Sequence, residues 1–66
     1  MENINDIRVI VIYTNRSVGF FNKDGKQMAE LQSIFNCYAD NQDKEWEILK
    51  EIFPRQEEIG FYVSDF

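Results

Sequence analysis

The chain has 66 residues, a net charge of −5, one cysteine and no histidine, and its hydrophobic fraction is 44%, including one Trp, three Tyr and six Phe. That apolar content is too high for a disordered chain, and one Cys without His gives neither a disulfide nor a plausible structural zinc site. The acidic balance argues against direct contact with nucleic acid or an anionic membrane, both of which ask for a basic stripe.

A chain of this length forms one domain and buries only about 60% of its unfolded surface, so a partner or a second copy is a natural supplement to its core. No signal peptide or membrane-spanning run stands out, so the expected compartment is the cytoplasm. The charge is uneven. Residues 1–33 balance Glu2, Asp6, Asp24 and Glu30 against Arg8, Arg16, Lys23 and Lys26, whereas residues 34–66 hold eight acids and three bases and carry the whole −5.

Met1–Asp6 is polar and expected to fray. The run Arg8-Val9-Ile10-Val11-Ile12-Tyr13-Thr14 then reads as the central strand. β-branched and aromatic side chains suit a pleated surface, and alternation puts Val9, Val11 and Tyr13 on one face and Ile10 and Ile12 on the other. Both faces are apolar, which predicts cover on both sides. A two-residue loop at Asn15-Arg16 and a second strand Ser17–Asn22 make a hairpin with Tyr13 opposite Val18, Val11 opposite Phe20 and Ile10 opposite Phe21.

At Asp24-Gly25 the reading forks between another hairpin and a helix. The helix is preferred, because Met28, Leu31, Ile34, Phe35, Tyr38 and Ala39 fall within an arc of about 140° at helical pitch. Asp40–Asp43 reads as a helix cap, and a second helix runs to Phe53, with Trp46, Ile48, Leu49, Ile52 and Phe53 as its apolar face and Pro54 as its stop. After a polar connection over Arg55–Glu58, the alternating segment Ile59–Phe66 is a last strand, paired most simply with the first. The expected fold is α+β, a small antiparallel β-sheet with two short helices in the order ββααβ; βββαβ is the alternative.

Chemistry is weakly represented. The side chain that most often serves as a base near neutral pH is missing, and Cys37 has no activating base nearby in sequence, so it reads as a small residue at a helix margin. The segment Asp40–Glu45 resembles a calcium loop only superficially, since it has no turn glycine and contains Lys44. Ser64-Asp65-Phe66 formally fits a terminus captured by strand addition, but a strand end packed on the core explains it. No catalytic residue, metal or cofactor is expected, and the chain is read as a non-enzyme.

Two surfaces remain. Asp43, Glu47 and Glu51, spaced i, i+4, i+8, form a carboxylate row about 6 Å apart on one helix face, which Glu57 and Glu58 can extend; such a row can dock on Lys/Arg surfaces, although it also fits an ordinary solvated face. If both helices cover the Val9/Val11/Tyr13 side of the sheet, then Ile10, Ile12, Phe21 and Tyr62 are left as an apolar patch for a partner or for a homodimer. In size, acidity and lack of catalytic chemistry the chain resembles the small single-domain inhibitors and regulators that phages and mobile elements encode. The expected function is protein–protein interaction, inhibiting or regulating a partner with a basic surface such as a nucleic-acid enzyme. The alternative is a structural or assembly subunit that self-associates through its open sheet face.

Overall fold

The apolar run at Val9–Tyr13 is the middle strand, β1, of a three-stranded sheet in the order β2-β1-β3. The computed structural model describes residues 2–37 and 42–64. A 3-10 turn at Ile4–Asp6 precedes β1, which is followed by β2 (Val18–Phe21), α1 (Ala29–Asn36), α2 (Gln42–Ile52), a 3-10 helix at Phe53–Glu58 and β3 (Gly60–Ser64). This is an α+β fold in the order ββααβ. β3 lies parallel to β1, with Ile10 opposite Phe61 and Ile12 opposite Val63, so the sheet is mixed rather than wholly antiparallel. The two intervening helices supply the long connection that a parallel pair requires.

The β1–β2 hairpin differs from expectation by one residue of register. Ile10 pairs with Phe20, Val11 with Gly19 and Val9 with Phe21. The loop has three residues, Thr14-Asn15-Arg16, closed by Arg16 N–H to Tyr13 O and Tyr13 N–H to Ser17 O, both at 3.0 Å. The left-handed position falls on Arg16 (φ 71°), not on Asn15. Asn15 instead accepts hydrogen bonds through Oδ1 from the Ser17 N–H at 2.9 Å and the Ser17 hydroxyl at 2.6 Å. A one-residue slip re-pairs every side chain.

The turn after β2 has the same three-residue design, with Gly25 (φ 76°) in the place Arg16 takes in the first. Replacing Arg16 with glycine should therefore stabilise the protein by about 0.5–1 kcal/mol, since an L-residue pays that much or more in the left-handed region. Urea midpoints of the two proteins check this; a lower midpoint for the glycine variant would contradict it.

The fork at Asp24-Gly25 resolves as a little of each alternative. Gln27 makes one antiparallel bridge to Phe21, Met28 N–H reaches Phe20 O at 2.8 Å, and the chain then turns into α1. α1 ends at Asn36, with Cys37 as its exposed C-terminal cap. Tyr38, Ala39 and the Asp40 cap lie outside the described residues. α2 ends at Ile52, and Pro54 sits in the first turn of the 3-10 helix that continues from it.

The core lies between the helices and one face of the sheet. It is built from Ile7, Ile10, Phe20, Met28, Leu31, Ile48, Ile52 and Ile59, with Ile4, Val18, Ile34 and Phe35 packed at its margin. The covered face is thus the Ile10 face, not the Val9/Val11/Tyr13 face supposed for an open apolar patch. Val9, Val11, Tyr13 and Phe21 are half-buried on the other face, where the rings of Tyr13 and Phe21 lie over Gly19 and that of Tyr62 over Gly60. Cover on both sides was expected for β1. The described helices instead pack on one side, and aromatic rings laid over glycines shield the other.

The N-terminal segment is docked rather than frayed. Ile7 is completely buried, and Glu2 Oε1 accepts the Leu31 N–H at 2.9 Å in the first turn of α1. Because Met28 at the helix N-cap makes no side-chain cap bond, this carboxylate does from 29 residues away what a local cap would do. The guanidinium of Arg55 fixes the same segment from the other end of the chain, donating to Ile4 O at 3.1 Å, Asn5 O at 3.0 Å and Ile7 O at 2.9 Å.

Candidate functional site

α2 buries a narrow stripe, Ile48 and Ile52, holds Glu45 half-buried beside it, and exposes the rest of its circumference. At 3.6 residues per turn the exposed arc divides into two flanks separated by Lys50. Trp46 and Leu49, continued by Phe53 at the start of the 3-10 helix, form one flank and Asp43, Glu47 and Glu51 the other. The apolar face read from sequence is therefore only partly a packing face: Trp46 is 62% and Phe53 72% exposed.

These exposed rings line a groove of about 610 Å³ together with Phe61 of β3, and Lys50, Pro54 and Gln56 also border it. Phe61 faces the helix side of the sheet because it is the register partner of Ile10. Val63 and Ile12 continue the same surface along the strands and are also exposed. Large exposed apolar groups gathered in one place are unusual for a monomer and mark interaction surfaces.

The acidic flank borders a second groove, of about 580 Å³, between α1 and α2. Glu47 and Glu51 line it together with Glu2, Glu30 and Lys44, over a floor that includes Leu31, Ile34 and Ile48. Folding thus adds two carboxylates, Glu2 and Glu30, from distant parts of the sequence. Lys44 stands 3.6 Å from Glu47, both exposed, a pair that contributes little to stability. Asp43 is exposed in the first turn of α2. Glu57 and Glu58 are exposed on the 3-10 helix, where Glu58 lies 3.5 Å from Arg55 Nε.

The apolar quartet expected on one face is divided. Ile10 is buried beneath the helices and Ile12 is exposed on that same side, whereas Phe21 and Tyr62 lie on the opposite face. The one-residue shift in the hairpin and the cover over the Ile10 face separate them. Sequence reasoning missed Phe61 and Val63 as surface groups and grouped Trp46 and Phe53 with the core. One signal was available: Trp46, Leu49 and Phe53 lie to one side of Ile48 and Ile52 on the helical wheel, making an apolar arc wider than one neighbour can cover.

No group of three or more His, Cys, Asp or Glu among the described residues is placed to hold a metal ion, and no described helix is long and apolar enough to cross a membrane. Comparison with protein-family models, curated proteins and solved structures finds no match.

Proposed function

We propose that this protein is a non-enzymatic binding module that acts in the cytoplasm by occupying the surface of a protein partner, as an inhibitor or regulator does. The observation that carries the reading is the solvent face of α2, where an aromatic groove and a row of carboxylates lie side by side. Large aromatic anchors supply most of the affinity at protein interfaces, and charges at the rim steer the encounter and select the partner. A partner that fits presents an apolar knob bordered by Lys or Arg. A basic substrate channel of a nucleic-acid enzyme has that character, and the surplus of acids in residues 34–66 suits it.

Quantitative affinity capture tests this, with wild type, Trp46→Ala and the double variant Glu47→Lys/Glu51→Lys compared on one partner. Trp46→Ala should weaken binding by tenfold or more, at about 2 kcal/mol for an anchor residue. The double variant should slow association and flatten the dependence on salt. A partner held equally by all three proteins would sink the reading.

A further inference from the structure

The two edges of the sheet are finished differently. On the β2 edge, the Asn36 side chain pairs with both main-chain groups of Val18, its Oδ1 accepting the N–H at 2.9 Å and its Nδ2 donating to the carbonyl at 3.1 Å. The next outward carbonyl, that of Phe20, accepts the Met28 N–H. This protein's own chain therefore seals that edge. On the β3 edge no described strand or helix takes an equivalent place, and the strand has none of the usual blocking devices, neither proline nor a charged side chain.

The register shows which groups are left over. Gly60 N–H bonds to Arg8 O at 2.9 Å, so in a parallel ladder Gly60, Tyr62 and Ser64 direct their main-chain groups at β1, and Phe61 and Val63 direct theirs outward. Their side chains are exposed as well; Val63, at 80%, is the most exposed of the large hydrophobic residues described.

We propose that β3 pairs with β3 of a second copy, antiparallel across a two-fold axis through Tyr62, giving a continuous six-stranded sheet. In that register Phe61 lies opposite the partner's Val63 and Val63 opposite the partner's Phe61. The four outward N–H and C=O groups of each copy then meet four of the other, with none left over, and an apolar side chain meets an apolar side chain on the helix side. A two-fold interface must be self-complementary, and Gly60–Ser64 satisfies this with no charge to repel its copy. The two aromatic grooves come to lie next to each other across the axis, so the dimer presents one broader surface.

The wild type should sediment with the mass of two 7.9 kDa chains at about 100 μM under reducing conditions and dissociate on dilution. Val63→Pro removes an N–H that points away from β1, so the ladder within the protomer keeps its bonds. That variant should retain the wild-type circular dichroism spectrum and dimerise at least about tenfold more weakly; Val63→Lys, which places a charge on the edge, is the second variant should the proline unfold the chain. A spin label on Cys37, the only cysteine and an exposed one, should give a single inter-chain distance that disappears in the edge variants. Salt should not weaken the dimer, because its contacts are uncharged, whereas capture of a basic partner should weaken; the two interactions are thereby distinguishable. A wild type that stays monomeric at that concentration, or edge variants that dimerise as tightly as wild type, would overturn the proposal.

Discussion

Phe20→Ala should unfold the protein. Phe20 is 1% exposed and lies at the centre of the core. Its ring meets Phe35 of α1 edge-on, with centroids 5.4 Å apart and planes at 80°, and it shares the covered face with its register partner Ile10. Emptying such a site costs about 3–5 kcal/mol, the transfer term plus the cavity left behind. A single core in a domain of this size rarely supplies more than about 3–5 kcal/mol in total, so the loss consumes most or all of it. Nuclear magnetic resonance of the variant should show collapsed amide dispersion at 25 °C. Phe20→Leu keeps most of the volume and should remain folded, at a cost of about 1–1.5 kcal/mol. If Phe20→Ala unfolded at the wild-type urea midpoint, Phe20 would not be the centre of the core.

Why Phe20 and not its neighbour occupies that place shows how far the sequence could be read. The strand at Val9–Tyr13, the β2 segment, both helices and the final strand are all legible from periodicity, and the order ββααβ follows from them. Which face of the sheet turns inward is not legible, because both faces of β1 are apolar and alternation alone does not rank them. The deciding information is the loop. A three-residue turn with Arg16 in the left-handed position sets Ile10 against Phe20, and arginine is not a residue that advertises positive φ. The same limit applied to the site. The acidic row on α2 follows from spacing, but its companions Glu2 and Glu30 arrive through tertiary contacts. Trp46, Phe53 and Phe61 are apolar residues that the fold leaves outside, and an apolar residue in a sequence gives no sign of whether it will be covered.

Arg55→Ala should destabilise the protein by about 2–3 kcal/mol, a large loss for one mostly buried polar side chain. Its guanidinium reaches back to the carbonyls of Ile4, Asn5 and Ile7 and is the tie between the C-terminal 3-10 helix and the turn that leads into β1. The sum of three charge-assisted bonds would be larger, but the carbonyls are not orphaned by the change. Arg8 Nη1 also donates to Asn5 O at 2.8 Å and Ile7 O at 2.9 Å, and the Ile7 N–H reaches Ile4 O at 3.2 Å. What is lost is the long-range cross-link and the packing of the arginine stem. Lysine cannot span three carbonyls with one ammonium group, so Arg55→Lys should recover less than half of the loss. Glu58→Gln, which removes only the ion pair that its exposed carboxylate makes with Arg55, should change stability by less than about 0.5 kcal/mol. Urea titrations of the three variants distinguish a carbonyl clamp from a salt bridge. Under the clamp, Arg55→Ala and Arg55→Lys both fall well below wild type while Glu58→Gln does not; equal losses for Arg55→Ala and Glu58→Gln would assign the effect to the ion pair instead.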